Sequence, residues 1–402
     1  MRLDSLGNRP ARNVTANRLS GSRSQLKTPC QLLLVLALML AGSSQVPAAS
    51  FDELYTVSIE PDPALTGQQQ RNDAIRRGML ELVTRITGRR RSLDEPGIAA
   101  LVASADSYYN AYSPLAGEIR ISYLRSQVND ALTRLNEPIW PDERPLTLIW
   151  LAVDFGDGQR AELGSTPESS GYRPDQLQLL SPDGLSDDAA AVFDAAVNEL
   201  LDVADERGLP VVLPRLDGVD RQIVRFADVW GGFDRFVERA AERYEADAIL
   251  IPRLGMSAAG PELRWILRRG DIVETFSSSA VRAGIDRLAD QFAGQFAVSG
   301  DMRQIWLTIR NIRTWPDYGR VDEYLRSVSI VNDVFIRSWS TEGELLLRID
   351  SRGDEDRLSQ ILALGGTLLP WLPGEAEAGL PQPSGALVFV PQWLDDTADG
   401  QR

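Results

Sequence analysis

The sequence predicts an α/β and α+β protein: three small mixed sheet-and-helix modules behind a signal peptide. Windows with a helical period of 3.6 alternate along the chain with windows of strand-like alternation. The 402 residues are 43% hydrophobic, enough for two or three cores at about 100–200 residues per domain. Pro- and Gly-rich stretches interrupt the pattern near residues 137–145 and after 373. The expected limits are 1–49 for the signal peptide, 50–137, 144–300 and 301–370 for the modules, and 371–402 for a flexible tail.

The leader comes first. Arg2, Arg9, Arg12, Arg18, Arg23 and Lys27 stand against Asp4 alone, followed by the apolar run Leu32 to Gly42 and the small-residue end "SSQVPAAS". That order is a secretory signal peptide with cleavage after Ala48 or Ala49. The run is short beside the roughly 20 residues of a spanning helix. An uncleaved inner-membrane anchor is the alternative. "LAGS" has Ser43 where a lipoprotein box needs cysteine, and no Arg-Arg pair precedes the apolar run. The expected location is therefore the periplasm, through the general secretory route.

The first module opens with the strand "LYTVSIEP". Ile75, Met79, Leu82, Val83 and Ile86 then share one helical face, closed by Gly88. A second helix is expected over Pro96 to Tyr109, then the strand "GEIRISYL" and a helix opened by Ser126. "EPIWPDERP" runs extended, because residues before proline avoid the helical region. The second module begins with the buried strand "LTLIWLAVDFGDG". A long mobile loop is expected over Gly156 to Gly184. A helix over Ser186 to Arg207, the strand "LPVVLPRL", a helix after "DVWGGF" and the strand "ADAILIPRL" follow. Next come two antiparallel strands and a helix presenting Ile285, Leu288, Ala289, Phe292 and Phe296. That alternation implies a largely parallel sheet. The third module, in the order strand, helix, hairpin at Glu342-Gly343 and helix, suggests a ferredoxin-like sandwich. "ALVFVPQWL" in the tail reads as one edge strand.

Composition excludes more than it assigns. There is no histidine. Cys30 is the only cysteine and Lys27 the only lysine. Beyond the leader, Ser-His-Asp and Cys-His nucleophiles, structural zinc, Schiff bases and a P-loop lysine are ruled out. No cofactor or metal is expected. The leader holds six basic residues and one acidic one, which leaves 36 basic and 56 acidic residues of the full 42 and 57, a formal charge of −20. So acidic a chain repels nucleic acid and anionic lipid.

Few stretches compete as sites. "DFGDG" at Asp154 to Gly158 is a hairpin turn, since the kinase motif it mimics requires partners this chain lacks. Arg89 to Arg91 complement a helix carboxyl end or bind an anion. The nine tryptophans suit core packing (Trp150, Trp265, Trp306) or a carbohydrate platform. Asp228, Trp230, Gly231, Gly232 and Phe233 of "DVWGGF" read as a helix entry with Trp230 packed over the first turn, or as a loop that grips a ligand. Helical spacing runs on through Phe233, Phe236, Val237, Ala240, Ala241 and Tyr244.

"RPLTLIWLAVD", "RGLPVVLPRLD" with Asp217 at its end, "DVWGGF" and "RYEADAILIPRL" resemble, in that order, an exported bacterial family known as domain of unknown function two-zero-six-six. "AIRRGMLELVTRITG" looks like its first helix. The resemblance implies no activity. The middle module is also faintly similar to the amino-terminal domain of the Tol–Pal translocation protein TolB. The reading that follows is a non-catalytic, exported cell-envelope protein acting by contacts with an unidentified protein partner. The alternative is a carboxylate-dependent envelope enzyme such as a glycan hydrolase, whose chemistry needs only two Asp or Glu residues.

Overall fold

The computed structural model describes residues 54–115, 117–156, 158–167, 169, 172–257, 260–371 and 386–393. The expected signal peptide and residues 372–385 of the expected tail lie outside them. Within them the architecture is α+β and α/β, built on three sheets.

The first sheet has the order β1-β3-β2 and is antiparallel throughout, from β1 (Thr56–Ile59), β2 (Tyr109–Leu115) and β3 (Glu118–Tyr123). Helices α1 (Gly67–Thr87), α2 (Pro96–Ala103) and α3 (Arg125–Arg134) supply its cover. The five apolar residues expected on one face of α1 are each at most 1% exposed. Gly88 caps the helix with φ 66°. The second helix stops at Ala103, six residues short of the expected end. Ser104 turns its hydroxyl back onto the Ala100 and Leu101 carbonyls. The aromatic-rich run after it pairs as β2, which the helix reading had missed. Ser126 lies inside the first turn of α3, behind Leu124 at the cap.

The second sheet is mixed. β4 (Thr147–Ile149) and β5 (Ala152–Gly156) are one expected strand broken at Trp150–Leu151, and both run parallel to β8 (Ala248–Ser257). β6 (Gln159–Glu162) flanks β5, and the two-residue β7 (Val211–Val212) flanks β4. On the far side β9 (Gly260–Arg269) and β10 (Ile272–Ser278) continue antiparallel, so the sheet is less parallel than expected. One face is covered by α4 (Asp187–Glu206) and α8 (Arg282–Phe296). The other carries three short helices: α5 (Gly218–Ile223), α6 (Phe226–Gly231) and α7 (Asp234–Ala241). The expected mobile loop is instead anchored wherever it is described. It contains β6, bridges Ser165 to Leu179, and offers the Tyr172 carbonyl to the Val211 N–H at 2.7 Å.

The third sheet has the order β12-β13-β11-β15-β14. It is built from β11 (Met302–Ile309), β12 (Val331–Trp339), β13 (Leu345–Arg352), β14 (Leu368–Pro370) and β15 (Ala386–Pro391), with α9 (Trp315–Ser327) and α10 (Glu355–Ala363). The element order strand, helix, strand, strand, helix is the one expected, and β15 stands between β11 and β14. β15 lies parallel to β11 and antiparallel to β14, inside the sheet and not at its edge. The tail reading is corrected accordingly. Phe389 of β15 is 1% exposed and belongs to a core shared by the second and third modules.

The first and second modules meet at three buried guanidiniums. Arg85 donates to the Thr56 carbonyl and pairs with Glu81 and Asp205. Arg207 donates to the Gly88 carbonyl and pairs with Asp286 and Asp290. Arg144 donates to five carbonyls, of Arg85, Arg207, Gly208, Pro141 and Trp140, with the Trp140 ring 4.2 Å away. Burial pushes Arg144 down to about 9, so it stays charged at neutral pH. Trp140, 1% exposed, sits against Gly88, where a Cβ would stand 2.4 Å from the Ala293 Cβ and 2.7 Å from the Trp140 ring.

Three outcomes follow. Gly88→Ala combines a left-handed backbone with a steric clash and should cost about 2–4 kcal/mol in urea unfolding. Gly319→Ala, in open space on α9, should be neutral or stabilise by about 0.5–1 kcal/mol. Ending the chain after Trp371 removes β15 and the Phe389 side chain, worth about 3–5 kcal/mol alone. The third module should then lose its cooperative melting transition, as followed by calorimetry.

Candidate functional site

The residues expected to form a signature cluster on the three-helix face of the second sheet, where they hold backbone. Asp217 caps α5, accepting from the Val219 and Asp220 N–H groups at 3.0 and 3.1 Å. Arg243 grips it at 2.8 Å, and that bond, with the Asp220 N–H, keeps its carboxyl well below the ordinary range. Asp228 accepts from the Arg225 N–H at 2.9 Å. Trp230 lies in the last turn of α6, stacked on Phe226 with ring centres 6.0 Å apart, and not ahead of a helix entry. Gly231 ends α6. Gly232 follows in the left-handed region with φ 74°. Phe233 is the residue before α7 and is 53% exposed, off the apolar face expected to include it. The stretch therefore closes one short helix and opens the next.

Two of the three arginines at Arg89 to Arg91 are likewise occupied. Arg90 pairs with Glu206 and Asp286, and Arg91 with Glu95 and Glu137. Asp154 of "DFGDG" pairs with Arg160 in a hairpin.

Paired carboxylates do occur, and arginines close over them. Asp286 and Asp290 line a shallow pocket beside Phe276 and share Arg207. Burial works to raise Asp286, but the Arg90 and Arg207 hydrogen bonds outweigh it and hold the carboxyl below its usual range. Asp286 is therefore not set up as a proton donor. Glu81 and Asp205 share Arg85 at 3.0 and 2.9 Å. There burial dominates, against the pull of Arg85, and pushes Glu81 up to about 7.

Among the described residues, the outer face of the third sheet carries no helix. The sheet's helices pack on the side of Leu345, Leu347 and Ile349, all fully buried. On the opposite side Trp306, Arg348 and Phe335 stand in register across β11, β13 and β12. Trp306 is 42% and Phe335 39% exposed. The Arg348 guanidinium lies 4.2 Å over the Phe335 ring and Arg337 lies 6.0 Å from the Trp306 ring, cation–π distances that keep the arginines extended on the face. The face leads to the paired residues Met302 and Arg352. These also line a cleft of about 390 Å³ together with Tyr55, Arg125, Asn129 and Asn332 of the flanking elements. β12 is the outer strand of the sheet. Sequence reasoning had placed Trp306 in the core. Its alternation with Ile305, Leu307 and Ile309 carried the contrary signal.

A family model described as a domain of unknown function (DUF8605) matches residues 48–141, the first module and the extended segment after it. It is a different model from the one that the central segments resemble, and nothing found supports the likeness to TolB. No curated protein and no solved structure matches the chain. No helix among the described residues is long and apolar enough to cross a membrane.

Glu81 gives this arrangement a pH signature. Its folded value, about 7, lies above the ordinary 4.5. The folded state keeps the proton longer, so this group's contribution is complete below pH 4.5 and is lost as pH rises through 7. The loss is at most of the order of 3 kcal/mol. Glu81→Gln should therefore gain stability relative to the parent between pH 4.5 and 8. A constant difference in urea midpoints across that range would contradict it.

Proposed function

We propose that the chain is a non-catalytic, exported cell-envelope protein that holds a protein partner in the periplasm on the outer face of the third sheet. The carrying observation is the exposed row Trp306, Arg348 and Phe335, beside an outer strand with an unshared edge. Aromatic and arginine side chains are the residue types that concentrate binding energy at interfaces. The outer edge of β12 offers backbone groups to an added strand. The partner segment that fits is extended, with apolar side chains for the two rings and acidic ones for Arg337 and Arg348. Export rests on the leader's basic, apolar and small-residue order. The rival reading, a carboxylate-dependent glycan hydrolase, draws on one observation, the raised Glu81 carboxyl beside Asp205.

A photoreactive residue at position 337 should trap one discrete partner in envelope extract. The adduct should fall at least tenfold when Trp306→Ala and Phe335→Ala are combined, with the melting temperature kept within a few degrees. A photoreactive residue at exposed Val219, on the second module, should not trap that partner. An adduct indifferent to the double substitution, or equal from both positions, removes this face as the contact.

A further inference from the structure

Among the described residues an aromatic cluster stands apart from the candidate face: Tyr318 and Trp339 pack against the core and Trp315 lies over them. Trp315 opens α9 and is 69% exposed, more than any other large apolar side chain among the described residues. It is nonetheless held in place. Thr314 and Asp317 cap the helix reciprocally, the Thr314 hydroxyl accepting from the Asp317 N–H at 3.3 Å and the Asp317 carboxylate accepting from the Thr314 N–H at 3.2 Å. The indole packs nearly perpendicular to Trp339, with centres 5.0 Å apart, and to Tyr318 at 5.8 Å. Trp339 is itself pinned by its Nε1–H donating to the Ile312 carbonyl at 2.7 Å. Perpendicular contacts with this exposure leave a broad face of the indole to solvent.

The surroundings are polar. Asn311 and Arg313 are exposed, and the turn at Gly343 abuts them: a Cβ on Gly343 would stand 3.2 Å from the Arg313 Cγ. Exposed Glu342 precedes it in the turn. We propose that this corner of the third module is a binding site for a neutral glycan chain, with Trp315 as the stacking platform and the Asn311–Arg313 and Glu342 side chains as the hydroxyl-binding rim. The faintly positive C–H bonds of a sugar ring suit the negative face of an indole, and hydroxyls at the ring's edge reach a polar rim. A rigid ring loses little freedom on binding. Charge favours this occupant over a lipid surface: the chain carries −15 overall, and nearby Arg310 is paired with Glu344 at 3.3 Å. A protein partner would want a wider apolar area than one indole. The site is separate from the Trp306 face, because Trp339 pairs with Leu345, which is buried on the helix-covered side.

The test titrates the purified chain with cellotetraose and with chitotetraose, following tryptophan emission and heat. Saturable binding of at least one is expected, weakened at least tenfold in Trp315→Ala, less in Trp315→Phe, and unchanged in Trp306→Ala. Absence of saturable binding to both sugars overturns the proposal. So does an affinity unchanged in Trp315→Ala, or Trp315-dependent binding to phosphatidylglycerol vesicles in place of the sugars. Should Trp315→Ala melt early, Trp315→Phe and Arg313→Ala carry the decision, and unchanged affinity in both overturns it.

Discussion

The described fold depends on burying three guanidiniums where its modules meet. A buried charge is tolerated when it is paired and hydrogen-bonded, and Arg85, Arg144 and Arg207 find such partners across a module boundary, although the Arg85 and Arg207 Nε groups have none among the described residues. Arg144 bonds the carbonyls at the end of α1 and after α4; Arg207 reaches the Gly88 carbonyl from α4 and ion-pairs with α8. Removing one side chain would strand both carbonyls and neighbouring carboxylates. The Pro-rich segment between the modules is fixed for the same reason. Trp140 donates its N–H to the Ile86 carbonyl, and Ile139 exchanges two bonds with Val298. What reads as a linker is a seam.

That seam explains which parts of the fold were legible. Long helices with one apolar stripe, α1 and α8, are written in local periodicity, and every residue expected on their buried faces is buried. The hairpin of β9 and β10 was likewise visible as two alternating runs. Errors fell where the outcome is set by distant partners. Tyr109–Leu115 became a strand because β3 was there to pair with it. β15 entered the sheet because β11 and β14 left a slot. In "DVWGGF" two glycines are compatible with helix entry or exit, and local propensity does not choose between them. Gly232 in the left-handed region, with its N–H returned to the Val229 carbonyl, settles it as exit.

The candidate sites were harder to read for a related reason. A tryptophan in an alternating strand announces which face it shares, not whether that face is covered. Trp150 and Trp265 point into cores because the second sheet carries helices on both sides, and both are fully buried. Trp306 has the same kind of neighbours in sequence, but the third sheet is covered on one side only. Coverage is a property of topology: α9 and α10 both pack on the side of Leu345 and Leu347. Composition could exclude histidine and thiol chemistry but could not locate a binding surface.

The disposition of charge narrows what the exposed aromatics can meet. Most carboxylates that approach one another are bridged by an arginine, as Asp286 with Asp290 and Asp217 with Asp220. An arginine used this way is withdrawn from ligand binding, whereas Arg337 beside Trp306 and Arg348 over Phe335, the latter also paired with Asp350 at 3.4 Å, ride on exposed rings. On so acidic a chain they form a local exception, and a partner with scattered rather than dense negative charge gains from them without meeting the repulsion of the remainder. Among the described residues no such cation lies over the Trp315 ring. The two exposed aromatic sites therefore differ in kind: one joins rings to positive charge across three strands, and the other offers a single ring amid polar groups. The two ligands proposed for them differ in chemistry accordingly, so that, on those proposals, binding at one would not compete with binding at the other.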